Sequence, residues 1–127
     1  RSIKKRELFR PFAPSTTQDS FKEFFELKNP SPYMNIVGKV KSEKIPAVTH
    51  IDGTARVHTV SENQHNRYYK LIKEFGNRTG VPVLLNTSFN IQEPIVYSPH
   101  DASKTFINSG VDALVIGDYI ICREDLK

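Results

Sequence analysis

Ser88 and Asn90 lie two residues apart, directly after the apolar run Val83-Leu84-Leu85, in the stretch VPVLLNTSFNIQEPIV from Val81 to Val96. A hydroxyl and an amide at that spacing, at the end of a strand held by packing behind it, offer short directional hydrogen bonds toward solvent, where α/β folds place ligands. Four cations elsewhere in the chain complete a set: Lys4, Arg6, Arg10 and Arg56. Guanidinium groups fork onto two oxygens of a phosphate, and lysine supplies a point charge. Such a set holds phosphates and can serve phosphoryl or adenylyl transfer, where positioning and charge neutralisation do most of the catalysis. At this level the plainer alternatives stay open. The polar row from Asn86 to Asn90 also suits a turn between two strands, and Lys4-Lys5-Arg6 also suits a solvated terminal charge run.

Several chemistries are unsupported. No paired carboxylates, Ser/His/Asp arrangement or Cys/His pair stands out, which argues against hydrolysis through a protein nucleophile. Neither GxGxxG nor GxxxxGK[ST] is present, so a Rossmann or Walker phosphate loop is not expected. His50, Asp52 and His58 fall within nine positions, but period-two geometry does not bring all three to one point and no fourth ligand is offered, so no metal site is expected. Cys122 is the one cysteine. It excludes an internal disulfide and a multi-cysteine zinc site, makes a reducing cytoplasm the expected compartment, and reads as a small core residue.

The elements that must position these residues follow from periodicity and punctuation. Pro11 and Pro14 exclude a long helix near the start, leaving a basic lead and an edge strand. Phe21, Phe24 and Phe25 recur at helical spacing over Thr17 to Leu27, with Asp19 or Ser20 as cap, so a helix with an aromatic core face is expected there. Residues 28 to 46 read as a long connection with one short strand around Tyr33 to Val37, the kind of segment that often serves as a lid or interaction surface. Asp52-Gly53 between β-forming runs predicts a hairpin of strands 47–51 and 55–60, with Ala55, Val57 and Thr59 on one face and Arg56, His58 and Val60 on the other.

Ser61 to Gln64 reads as a capping box opening a helix through Tyr68, Leu71, Ile72 and Phe75, ended by Gly76 or Gly80. A buried strand from Val81 to Leu85 follows, and Pro94 to Tyr97 resumes as strand. Ser98 then caps a third helix with Pro99 at its first position and Asp101 in its first turn. Two strands, Ala113 to Ile116 and Tyr119 to Arg123, close the chain around Gly117-Asp118. The fold class is therefore α/β or α+β: a mixed sheet with about three helices.

The 127 residues suit one domain, 1–127, and carry 38% hydrophobic and 25% charged residues, an ordinary soluble composition with no apolar run long enough to cross a bilayer. The basic lead lacks the apolar segment of a secretory signal. Residues 1 to 10 hold five basic groups against one acid, while the rest of the chain balances thirteen against thirteen, so the net charge of +4 is local. Proteins that grip long nucleic acid spread basic residues over a face; a local cluster suits a compact anion, such as phosphate or nucleotide, at least as well. The chain does not begin with methionine, as expected of a piece of a longer protein.

Several blocks, IKKRELFRPFAPS, HIDGTARVHTV, TGVPVLLNTSFN, EPIV with its Ser-Pro-capped helix, and DALVIGDY, occur in this order along nearly the whole chain. Together they resemble the C-terminal region of the NodU/CmcH family of O-carbamoyltransferases. The resemblance implies a YrdC-like fold, a twisted mixed sheet flanked by helices. It also implies a nucleotide site built on a Lys-x-Arg and a Ser-x-Asn pair, here Lys4-Lys5-Arg6 and Ser88-Phe89-Asn90.

By this resemblance Lys4, Arg10 and Arg56 hold carbamoyl phosphate and the phosphates of ATP, Arg6 joins them, and Ser88 and Asn90 position the nucleotide. ATP with Mg2+ is then a substrate, the product is carbamoyl adenylate, and no metal is expected in this chain. The implied partner is a Kae1-like domain of the same protein, carrying a metal, which passes the carbamoyl group to a hydroxyl of an antibiotic, sugar or nodulation factor. No membrane partner is implied. A YrdC-like RNA-binding module or a non-catalytic interaction domain is the alternative; against the former, Phe9, Phe12 and Phe89 read as core or site wall rather than as stacking platforms. Family members carry a Gly-Pro-Arg-Ala-Leu-Gly block just upstream of the Ile3 to Glu7 segment and a glycine just before the Glu-Pro. Neither is in this sequence, and lack of the glycine is expected to tighten the turn after Asn90.

Overall fold

The computed structural model describes residues 11–126. They form two compact units, Pro11–Thr87 and, in the second, residues 88–126. The class is mixed α+β, with a five-stranded sheet, a two-stranded sheet and three helices.

In the first unit the strands are β1 (Ala13–Thr17), β2 (Phe25–Glu26), β3 (Ile36–Val40), β4 (Thr54–Val60) and β5 (Val83–Asn86), in the order β2-β3-β4-β1-β5. β1 runs parallel to β4, with Ser15 opposite His58, and antiparallel to β5, with Ser15 opposite Leu84. β1 is thus flanked on both sides and buried throughout, not the expected edge strand. Its register with β4 begins only after Pro14, consistent with the missing N–H of that residue. Three polar residues at the sheet centre are each satisfied: Ser15 by His58, Thr16 by Pro82 O and Thr17 by Ser20. Among the described residues the run from Val81 makes the edge strand β5, with Leu85 exposed, rather than a buried one.

Period-two alternation along β4 sorts the core into two faces. Ala55 and Val57 pack with Phe21, Phe24, Phe25, Ile45, Val48 and Val83. Val60, two residues past His58 on the opposite face, packs with Tyr69 and Ile72 of α2 (Asn66–Thr79). Burying one large apolar side chain of this kind contributes about 1.5–3 kcal/mol. The aromatics 21, 24 and 25 are core as expected, but their helix α1 is a single turn, Phe21–Phe24, because Phe25 turns extended to pair with Val40.

The expected 47–51/55–60 hairpin does not form. Both edges of β4 are taken, by β3 and β1, and Pro46 instead opens a 3-10 turn, Pro46–Val48, closed by Thr49 onto Pro46 O and Ile45 O. Asp52-Gly53 does make the tight turn, with Gly53 at φ 77°. α2 begins at Asn66 with His65 as its N-cap, four residues beyond the expected Ser61, whose Oγ donates to the Gln64 side chain instead. Gly80, left-handed at φ 74°, ends the helix.

The second unit holds α3 (Pro99–Asn108) and a hairpin of β6 (Ala113–Ile116) and β7 (Tyr119–Cys122), turning at Gly117 with φ 57°. Ala102 and Phe106 of α3 pack on Leu114, with Phe89, Val96 and Ile121 around them. The Ser98 cap forms as expected, accepting from the Asp101 N–H at 3.1 Å. Pro94 to Tyr97 makes no strand; Val96 N–H alone reaches back to Phe89 O at 3.1 Å. Cys122 is partly exposed rather than core. No described helix is long and apolar enough to cross a membrane.

Candidate functional site

The chain leaving β5 forms a turn that brings the predicted Ser-x-Asn pair together. Ser88 Oγ donates to Asn90 Oδ1 at 2.8 Å, and Asn90 Nδ2 donates to Glu93 O at 2.7 Å. Ser88 is exposed and Asn90 half-buried. The Asn90 amide is therefore oriented with its oxygen toward Ser88, and the Ser88 proton points into the pair. A phosphate ligand would draw that proton from Asn90 Oδ1 onto its own oxygen, a local rotation of one hydroxyl.

Glu93, which the sequence reading passed over, closes the turn. Its Oε1 accepts the Ile91 N–H at 3.1 Å and the Thr105 hydroxyl at 2.7 Å; its Oε2 accepts the Gln92 N–H at 2.9 Å. The Thr105 hydroxyl, followed by the backbone N–H groups of the turn, stabilises the carboxylate and holds its pKa down at about 2. The turn is made without a positive φ, since Met34 is the only non-glycine residue with one among those described. The turn that lacks the family glycine thus carries no left-handed backbone strain. A signal for Glu93 was present in the sequence: Thr105 sits between Ala102 and Phe106 on the buried face of α3, and a polar group at such a position needs a partner.

Beside the turn opens a cleft of about 320 Å3, lined among others by Ile91, Glu93, Asp101, Lys104 and Thr105. Its size falls at the lower end of ligand pockets.

Arg56 belongs to the first unit, exposed on β4 opposite Val37, on the expected face. Its sequence neighbours His50 and Asp52 are used by the turn: Thr54 Oγ1 lies 2.7 Å from Asp52 Oδ1 and 3.1 Å from His50 Nδ1. Among the described residues no three His, Cys, Asp or Glu side chains gather to hold a metal ion. On the same face of β4 as Arg56, His58 Nδ1 lies 2.9 Å from Ser15 Oγ and 3.3 Å from Asn86 Nδ2, and its ring stacks on Tyr68. Burial, then the neighbouring His65, pushes its pKa down. Asn86 thereby anchors the end of β5 from which the Ser88 turn departs. Lys4, Arg6, Arg10 and Phe9 lie outside the described residues. Phe12 and Phe89 are half-buried, each against a core cluster, as expected.

The chain is similar over 126 residues to nodulation protein NolNO of Sinorhizobium fredii, 51% identical over 94% of this chain and 18% of that protein. It is 46% identical to nodulation protein NolO of Bradyrhizobium diazoefficiens, over 94% of this chain and 23% of that one. An uncharacterised protein of Synechocystis is 39% identical over 95% of this chain and 24% of its own length. The chain thus spans about a fifth of the length of the curated relatives it matches. The sequence profile of the carbamoyltransferase C-terminus matches residues 1–123, and the chain belongs to that family.

Proposed function

We propose that this chain is the nucleotide-handling part of an O-carbamoyltransferase, a YrdC-like domain that binds ATP with Mg2+ and carbamoyl phosphate and makes carbamoyl adenylate. Balance requires carbamoyl phosphate to give up its phosphate to water; a carbamate oxygen then bonds the α-phosphorus of ATP and pyrophosphate leaves. Lys4, Arg10 and Arg56, with Arg6, neutralise the phosphates, and Ser88 and Asn90 position the nucleotide. A Kae1-like domain of the same protein then passes the carbamoyl group to a hydroxyl of a small molecule, in the cytoplasm. The observation that carries the reading is the convergence of the Ser88 hydroxyl and the Asn90 amide, 2.8 Å apart at the end of β5, in a chain of the carbamoyltransferase family.

Titrating the protein with Mg2+-ATP, AMP and carbamoyl phosphate tests it. Saturable nucleotide binding, weakened by Ser88→Ala and by Asn90→Ala, is the expected result. RNA binding with a steep salt dependence and no nucleotide binding would favour the RNA-binding alternative instead.

A further inference from the structure

The Ser88 hydroxyl and the Asn90 amide are only as well placed as the turn that carries them. That turn lies on a loop, where nothing in a strand or helix ladder fixes the backbone. Apart from the Val96 N–H to Phe89 O bond, its internal bonds converge on Glu93. Asn90 Nδ2 binds the Glu93 carbonyl, the Glu93 carboxylate gathers the N–H groups of Ile91 and Gln92, and Thr105 Oγ1 ties that carboxylate to α3. Thr105 is 5% exposed, held between the buried Ala102 and Phe106, so it is the rigid end of the chain of bonds. The order runs from a packed helix to a buried hydroxyl, to an exposed carboxylate, to the turn backbone, to Asn90 and finally to Ser88.

Resting on the nucleotide reading of Ser88 and Asn90, we infer that Glu93 and Thr105 are positioning residues of that site, setting the Asn90 amide and through it the Ser88 hydroxyl from helix α3. Neither residue needs to touch the ligand. The carboxylate suits this task because it accepts only: both oxygens face donors, three in all. An amide at the same place would turn its NH2 toward one of those donors and lose at least one bond. A hydroxyl at residue 105 is equally specific, since a methyl there has the right volume for the α3 face but offers no proton.

The test uses the full-length protein and AMP as the probe, with binding measured by calorimetry and turnover measured with ATP and carbamoyl phosphate. Thr105→Val and Glu93→Gln are expected to weaken AMP binding roughly ten- to a hundredfold, the scale on which misplaced site groups act. Thr105→Ser, which restores the hydroxyl, should recover binding to within about threefold of the parent, a partial retention consistent with an unchanged donor. Circular dichroism on each variant separates misfolding from misplacement, and Thr105→Ser keeps the test decisive if Thr105→Val fails to fold. If Thr105→Val and Glu93→Gln bind AMP as the parent does while Ser88→Ala and Asn90→Ala do not, the positioning inference is overturned and the nucleotide reading stands. Equal weakening by Thr105→Ser and Thr105→Val also overturns it, since packing and not the hydroxyl would then matter. Unchanged binding in Ser88→Ala and Asn90→Ala removes the nucleotide reading and this inference with it.

Discussion

The Thr105 hydroxyl donates to Glu93 Oε1 across 2.7 Å, joining a buried position of α3 to the turn that presents Ser88 and Asn90. Because Thr105 and the turn amides favour the charged carboxylate, Glu93 is depressed from 4.5 to about 2. The stabilisation is therefore fully present above about pH 4.5 and is lost progressively as pH falls from there through about 2. The amide proton shifts of Ile91 and Gln92 should stay flat through the ordinary carboxylate range and move only near pH 2. A midpoint near 4.5 in an NMR titration would contradict this arrangement.

His58 gives a pH dependence higher in the scale. Its depressed pKa means the folded state favours the neutral ring, so the contribution is fully present above the unfolded value of about 6.5 and declines as pH falls below it. Unfolding midpoints of the parent should drop as pH falls below about 6.5, more steeply than those of His58→Gln, which lacks a titrating ring. Parallel profiles for the two proteins would show that the Ser15-His58-Asn86 cluster is not the source.

Much of the fold is legible in the sequence, for local reasons. The Ser98 cap, the Asp52-Gly53 turn, the aromatic trio 21, 24 and 25, and the alternation Ala55-Val57-Thr59 each depend on neighbours within a few positions. What sequence could not display is pairing at a distance. The insertion of β1 between β4 and β5 is set by contacts more than forty residues apart in chain, and it decides that Val83 to Asn86 is an edge and that residues 47–51 have no strand to join. A continuous apolar run reads alike whether its strand is central or at an edge. At the site, Ser88 and Asn90 are legible because they are two apart. Glu93 and Thr105 are twelve apart, on a loop and a helix, and share no periodicity.

Gly76 sets two effects against each other. Alanine is favoured over glycine inside a helix by about 1 kcal/mol. A Cβ at Gly76 would stand 2.6 Å from Cβ of Pro82 and 3.0 Å from its Cα, and Pro82 is itself bonded through its carbonyl to Thr16. Backbone in that position yields poorly, so Gly76→Ala should destabilise by about 1–3 kcal/mol in urea unfolding, the usual cost of overpacking. A stabilised variant would contradict the close approach of α2 to Pro82.

Arg123 closes the helix in the second unit. Its guanidinium donates to Phe106 O at 2.6 Å and Ser109 O at 2.5 Å, and its Nε donates to Val111 O at 2.8 Å, with the group also over the Phe106 ring. A cation at a helix C-terminus complements both the open carbonyls and the dipole. Arg123→Met should cost about 1–3 kcal/mol, the scale of unpairing such acceptors. Arg123→Lys should recover only part, because an ammonium cannot span the three carbonyls in one plane. Full recovery by lysine would show that charge alone matters.

Pyrophosphate release by the full-length protein tests the adenylating role most directly. Release should require both ATP and carbamoyl phosphate and fall at least tenfold in Ser88→Ala and in Arg56→Ala, as for loss of groups that stabilise developing charge. No release with both substrates present, or release independent of carbamoyl phosphate, would contradict it.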